Sequence, residues 1–298
     1  MTMGVMAHSN VTSIGNDAGG RLGGMPRLIQ RQPTLLLGVS LLVMMSVAAL
    51  AAPLWTERDP LDINPIDRLQ APSAEHWFGT DHLGRDIYTR TIYGARISLI
   101  VGATVALMSM VAGLVIGLIS GYDKRIDAVV MRVMDGMMAI PGILLAIALM
   151  ALVSASVQNV IIALAIPEIP RVVRVVRASV LSLRELPFVE AMRAAGAGVP
   201  RILVRHIMPN TVAPLIVQGT YVCASAVIFE AYLSFLGAGT PPHIPSWGNI
   251  MAEGRLYVQL AFWIILFPGL FLAITVLAIN LVGDGLRDTL DPKLSRRM

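Results

Sequence analysis

Residues Ile97–Ile119 read ISLIVGATVALMSMVAGLVIGLI, a run without a single charged side chain. About 20 apolar residues carry a helix across the ~30 Å of hydrocarbon in a bilayer, and this run suffices. Working outward from it, similar runs cover 35–54, 129–153, 157–176, 212–235 and 260–282. The 298 residues are 55% hydrophobic and only 14% charged, where a soluble domain carries roughly 25% charge. The pattern predicts an all-α membrane protein with six transmembrane helices. It excludes a disordered chain, a small soluble enzyme and, with Cys223 alone, a disulfide scaffold. The net charge of +4 would suit a nucleic-acid binder, but its distribution follows a bilayer instead, and no nucleic-acid partner is expected.

Residues 1–33 are rich in Gly, Ser, Asn and Arg and read as a tail ahead of the first run. A secretory signal has a similar layout, and Ala49-Leu50-Ala51 resembles a cleavage site. The long polar lead and the later runs favour a retained helix. With the amino terminus inside, the inner segments are 1–34, 120–128, 171–211 and 283–298. They hold sixteen of the 23 Lys and Arg residues, and Arg132 stands at the inner end of the third run. The outer segment 55–96 has no net positive charge, because seven acids offset its arginines. The basic residues thus agree with the hydropathy, and both termini are placed in the cytoplasm.

The runs are rich in Gly, Ala and Met, and Gly113 and Gly117 have the spacing of a close-packing face. Pro141, Pro214 and Pro268 interrupt helices, as gating bends or as tolerated kinks. Pro167, Glu168 and Pro170 make the fourth run the least defined. Glu230 is a lone carboxyl in the fifth, better explained by a structural hydrogen bond than by an ion relay. No Walker A motif is present, and the five histidines have no metal-ligand spacing. Asp81 and His82 lack any accompanying catalytic constellation. No catalytic residue, metal or cofactor is therefore assigned to the chain.

The inner segment 171–211 is patterned. Arg171, Arg174 and Arg177 fall on one side of a helix continuing the fourth run. A short helix opens at Pro187, with Glu190 in its first turn, and ends at Gly196 and Gly198. A second opens at Pro200, and Pro209-Asn210 is expected to stop it. Two readings stand: an amphipathic hairpin resting on lipid, or a knob that enters a groove on a cytosolic partner. In the second, Ala191, Ala195 and Gly196 allow close approach while Glu190 and Arg193 make directional pairs.

In this segment the chain resembles the permease subunits of binding-protein-dependent ABC importers. Their cytoplasmic loop carries a Glu-Ala-Ala group, then Gly, then Ile-x-Leu-Pro. Here Glu190, Ala191, Gly196 and Pro209 match, with Met192 for the second Ala, His206 for Ile and Met208 for Leu. Further blocks are similar to the second permease of dipeptide, oligopeptide and nickel systems. They include Gly79, Asp81, Gly84, Arg85 and Asp86 before the second run, and Gly237, Trp247 and Gly248 after the fifth. Asp284, Gly285, Asp291 and Pro292 follow the sixth, and Pro141 belongs to the same set of motif positions. The resemblance covers about residues 34–294. The sequence Pro167-Glu168-Ile169-Pro170 departs from it, which puts the end of the fourth run in question.

The resemblance implies a type I (MetI-like) importer bundle in the bacterial inner membrane. Residues 1–33 would be a cytoplasmic tail, 34–96 the first helix and a periplasmic segment, 97–283 the permease core, and 284–298 a second tail. Loop 171–211 would couple to an ATPase through Glu190, Ala191 and Gly196, with Met192, Arg193 and Pro209 in the same element. The implied partners are a homologous permease forming a heterodimer, two cytosolic ATPase subunits holding ATP and Mg, and a periplasmic or lipid-anchored solute-binding protein. The implied solute is a dipeptide or oligopeptide; nickel chelates, glutathione and opine-like compounds are alternatives within the same machinery. A secondary transporter would show an inverted repeat, and none is visible; a membrane scaffold without transport would tolerate changes around Glu190. Trp247 and Pro245 in loop 238–259 would either face the binding protein or stabilise their loop.

Overall fold

A computed structural model describes residues 33–56 and 58–290. The tail ahead of Pro33, and Asp291 and Pro292, lie outside the described residues. Among the described residues eleven α-helices follow in order: α1 Pro33–Leu50, α2 Ala52–Trp55, α3 Ile87–Tyr122, α4 Lys124–Met138, α5 Gly142–Met150 and α6 Val157–Leu183. Then come α7 Pro187–Ala194, α8 Val199–Ile202, α9 Met208–Phe235, α10 Trp247–Gly254 and α11 Trp263–Leu290. A single antiparallel bridge, Thr80 to Asp86, is the extent of β structure among the described residues.

Among the described residues, four helices are long and apolar enough to cross a membrane: α1, α3, the continuous helix 199–235 and α11. The pair α4–α5, bent by 84°, makes a fifth when taken as one span. The bend falls at Pro141, which caps α5, so the third run is not one straight helix. The α6 helix is not in that apolar set, because Glu168, Arg171 and Arg174 sit in its middle. It runs through Pro167 and Pro170 without breaking and reaches Leu183, seven residues beyond the apolar run.

What holds α6 level with the apolar run of α3 is a seam of glycines. An added Cβ at Gly113, Gly117 or Gly121 would lie 2.5–2.7 Å from Val172, Val176 and Val180 respectively. The constant offset makes the two helices parallel, and each glycine receives one valine of the facing ridge. In a bilayer, where apolar side chains gain little by leaving lipid, such close approach supplies the dispersion contacts that associate helices. The Ser109 hydroxyl donates to the Ala165 carbonyl at 3.1 Å on the same seam.

The helix α3 also starts ten residues earlier than its apolar run. Asp86 caps it, accepting from the Thr89 amide at 2.8 Å. At the other side of the bundle α1 and α11 pack antiparallel, with Gly38 against Leu281 and Gly285 against Leu35. The helix α11 continues through Asp284 and Arg287 to Leu290, past the end of its apolar run. The core lies among α3, α5, α6 and α9 and extends to Val189, Ile202 and Ile207 beneath the α7–α8 element.

Candidate functional site

The element between α6 and α9 sits at one end of the bundle. Val189, Ile202 and Ile207 are buried beneath it, each contributing about 1.5–3 kcal/mol by leaving water. That burial fixes which face of α7 points outward: Glu190, Ala191, Arg193, Ala194, Ala195 and Gly196 are exposed and Met192 is half-buried against the core. The turn that ends α7 depends on Gly196. The Gly196 amide donates to Arg193 O at 2.9 Å and the Ala197 amide to Met192 O at 3.0 Å, a paired closure that requires a left-handed residue between them. Gly196 has φ +78° and nothing within 4 Å of an added Cβ. Its absence of a side chain therefore serves the turn and leaves a flat outer surface.

This surface is tied to the end of α3. Arg184 Nη1 donates to Gly121 O at 2.8 Å, satisfying a carbonyl at the helix terminus. Arg193 lies over the Tyr122 ring, 5.2 Å from its centroid, and its Nε donates to the Tyr122 hydroxyl at 3.2 Å. The arginines on α6 form a second set of ties: Arg177 pairs with Asp127 at 2.7 Å and Arg174 with Asp135 at 2.6 Å, both on α4. Arg171 pairs with the buried Glu168 one turn back at 3.1 Å. Between α3 and α4, Asp123 accepts from the amides of Arg125 and Ile126, and these bonds hold its carboxyl below the ordinary value of 3.8.

Pro209 does not stop a helix. The chain from Val199 to Phe235 is continuous, and Leu203–Ile207 is a π-helical turn joining α8 to α9. The Met208 amide reaches back five residues to Leu203 O. The wider turn accommodates the proline ring, which lacks an amide and crowds the carbonyl four residues back. Asn210 Nδ2 donates to His206 O at 2.7 Å and satisfies a carbonyl there.

At the opposite end of the bundle the remaining motif residues build a buried ionic knot. Asp81 Oδ1 accepts from the amides of Leu83 and Arg85, and its Oδ2 accepts from Arg85 Nε at 2.6 Å and Arg90 Nη1 at 2.7 Å. Glu253 of α10 closes the knot against Arg90 at 2.6 Å and against Arg85. Gly79 and Gly84 have φ +73° and +78°; an added Cβ at Gly84 would lie 1.7 Å from the Asn64 carbonyl oxygen. Asp81, His82 and Glu253 bring three ligand-type atoms within 4.8 Å. Both carboxylates are already occupied by guanidinium groups, whose charge opposes a cation there.

Trp247 is fully buried and donates from Nε1 to Thr91 O at 3.0 Å. It stabilises its loop and is not available to a partner. Gly248 packs against α9, where an added Cβ would lie 2.7 Å from Ala231 Cα. Gly237, at φ +80°, ends α9 by the same paired closure as Gly196. Glu230 is fully buried, accepting from Ser98 at 3.2 Å and Ser234 at 2.8 Å, the structural role expected for it. Sequence reasoning missed Glu253; Arg85 and Arg90 stand just before the second apolar run, but the acids of their own segment already outnumber its arginines, so nothing local pointed to a partner more than 160 positions away.

The sequence profile of the family described as "Binding-protein-dependent transport system inner membrane component" matches residues 113–296. The chain belongs to that family. Among relatives of this permease is a probable peptide ABC transporter permease protein, y4tQ, of Sinorhizobium fredii. It is 55% identical over 271 residues, covering 91% of this chain and 93% of the relative. The dipeptide transport system permease protein DppC of Alkalihalophilus pseudofirmus is 45% identical, covering 89% and 88%. The glutathione transport system permease protein GsiD of Pectobacterium atrosepticum is 40% identical, covering 90% and 89%. A chain of the MetNI methionine ABC transporter, solved in inward facing conformations, superposes with TM-score 0.58 at 20% identity. It covers 69% of this permease and 98% of that chain. The fold is thus that of a type I importer permease, a multi-pass membrane protein that serves transport and is not itself an ATPase.

Proposed function

We propose that this permease carries dipeptides or short oligopeptides inward, driven by ATPase subunits that dock on the exposed face of α7. The observation that carries the docking assignment is the construction of that face. Glu190, Ala191 and Gly196 are presented to solvent on an element anchored beneath by Val189 and Ile202 and tied sideways to the end of α3 by Arg184 and Arg193. A partner pressing on this surface displaces α3 and α6 together, because the glycine seam joins them. Switching between two packings of rigid helices needs no reactive residue.

In this reading the α7 end is cytoplasmic and the ionic knot faces the periplasm, where a solute-binding protein delivers its cargo. A second, homologous permease completes the path as a heterodimer, and ATP with Mg stays on the ATPase pair. The peptide assignment rests on the peptide and dipeptide systems to which the relatives belong, and the glutathione relative is consistent with a short peptide as cargo.

The test uses vesicles reconstituted with all partners. Glu190→Lys and Ala195→Trp, at exposed positions of ordinary backbone conformation, are expected to abolish peptide accumulation while ATP hydrolysis continues and the chain stays folded. Unchanged accumulation in both variants overturns the docking assignment. A cysteine introduced at position 193 should resist a membrane-impermeant label applied to intact cells; labelling from outside overturns the orientation.

A further inference from the structure

The helix α1 is packed tightly against α11 at one end and leaves a groove against α3 toward the other. A cavity of about 370 Å³ lies among α1, α3, α9 and α11, lined by Leu42, Leu99, Met110, Gly219 and Ile279. A second, of about 270 Å³, continues it through the shared residues Ser46, Leu99 and Ala103. It ends at Arg96 beside Leu50. From Arg96 to Met110 is fourteen residues of α3, or about 21 Å at the helical rise. The walls are almost wholly apolar. Thr220 in the first cavity already donates its hydroxyl to Val217 O at 2.8 Å, so a peptide backbone would find few partners there.

Arg96 gives the groove a charged mouth. It is exposed and takes part in no ion pair among the described residues; Arg58, Arg85 and Arg90 at the same end are paired, and Arg68 and Arg255, which are not, line neither cavity. Its depth follows from α1. The apolar run of α1 ends at Leu54, and the first charges follow at Glu57 and Arg58, which puts this end of the helix at the edge of the hydrocarbon layer. The last turn of α1, with Leu50, therefore marks the interface, and Arg96 lies level with it. The occupant must offer an anion at headgroup height and a single flexible apolar chain beneath it.

We infer that this groove binds a phospholipid, with its phosphate on Arg96 and one acyl chain running inward between α1 and α3 toward Met110. The guanidinium presents a planar fork that suits phosphate oxygens. The chain fills space that the small side chains Ser46 and Ala103 leave open, so the lipid completes the attachment of α1 to the bundle.

The test purifies the assembled transporter in mild detergent, removes annular lipid, and measures retained phosphatidylglycerol by mass spectrometry. Arg96→Gln and Ala103→Trp alter exposed positions, so both variants should fold and assemble. Wild-type protein is expected to retain about one phosphatidylglycerol per chain, and each variant about tenfold less. Phosphatidylglycerol added back should raise the melting temperature of the wild type only; oleate or inorganic phosphate alone should not. Equal retention in all three proteins overturns the inference, as does stabilisation by phosphate or oleate alone. It is overturned equally if Arg96→Gln leaves lipid retention unchanged and separates the two permeases, since Arg96 would then meet a partner carboxylate.

Discussion

Replacing Gly117 by Ala sets two effects of known sign against each other. Alanine is the better helix former by about 0.8–1.0 kcal/mol. Its Cβ, however, would lie 2.7 Å from Val176 Cβ and 3.0 Å from Val173 O, where ordinary contact begins at 3.4 Å. The helices must separate locally by several tenths of an ångström, and overpacking of this kind costs about 1–3 kcal/mol. The clash wins, with a net loss of about 1 kcal/mol. Gly136 provides the control, because nothing lies within 4 Å of its added Cβ. There the same substitution should stabilise by up to about 1 kcal/mol. Gly113 and Gly121 meet Val172 and Val180 on the same seam, so one rigid displacement relieves all three clashes. The triple alanine variant should thus cost less than the sum of the singles, by more than about 0.5 kcal/mol. Equilibrium unfolding in mixed micelles, followed by circular dichroism, measures each value. If Gly117→Ala proves as stable as Gly136→Ala, or the triple variant is strictly additive, the glycine seam does not hold α3 to α6.

Asp81→Asn should destabilise the ionic knot by about 3–5 kcal/mol, because it leaves the buried Arg90 and Arg85 short of their shared counter-charge; the same unfolding assay reads this, and a loss below about 1 kcal/mol would show the knot to be dispensable. Asp123 makes the start of α4 sensitive to acid. Its carboxyl is held below 3.8, so its capping contribution is present above that value and disappears as pH falls through the lower folded value. Hydrogen exchange at the Arg125 and Ile126 amides should accelerate relative to the intrinsic rate over that interval, and Asp123→Ala should remove the pH dependence.

Much of this architecture was readable from apolar runs and charge. Long uninterrupted runs identified α1, α3, α9 and α11, since nothing but a bilayer favours such composition. The reading failed where buried polar residues hide the pattern. The first turns of α3 carry Thr89, Arg90 and Thr91, all buried, so its true start at Ile87 lay outside the apolar run. In α6, charge and proline masked a helix that tertiary packing sustains, with Pro170 buried and Arg174 and Arg177 satisfied across to α4. Pro209 looked like a terminator because a proline's effect depends on the turn before it, and local sequence does not disclose a π-helical turn. In the element around α7, the spacing from Pro187 to Gly196 was legible, because Pro187, Glu190 and Gly196 start, charge and end the helix. The ties to Tyr122 and Gly121 were not, since they join residues more than sixty positions apart.

The unbroken rod from Val199 to Phe235 has a mechanical consequence. Thirty-one residues separate Val199 from Glu230, about 46 Å of helix at the usual rise. A torque applied at the foot of the rod is delivered to the hydroxyl cradle around Glu230 near its far tip, with no hinge loop to absorb it. Compliance is confined to the loosened turn at Leu203–Ile207 and to Pro214 inside the shaft, so stiffening either place should change the gearing between the two ends of the bundle.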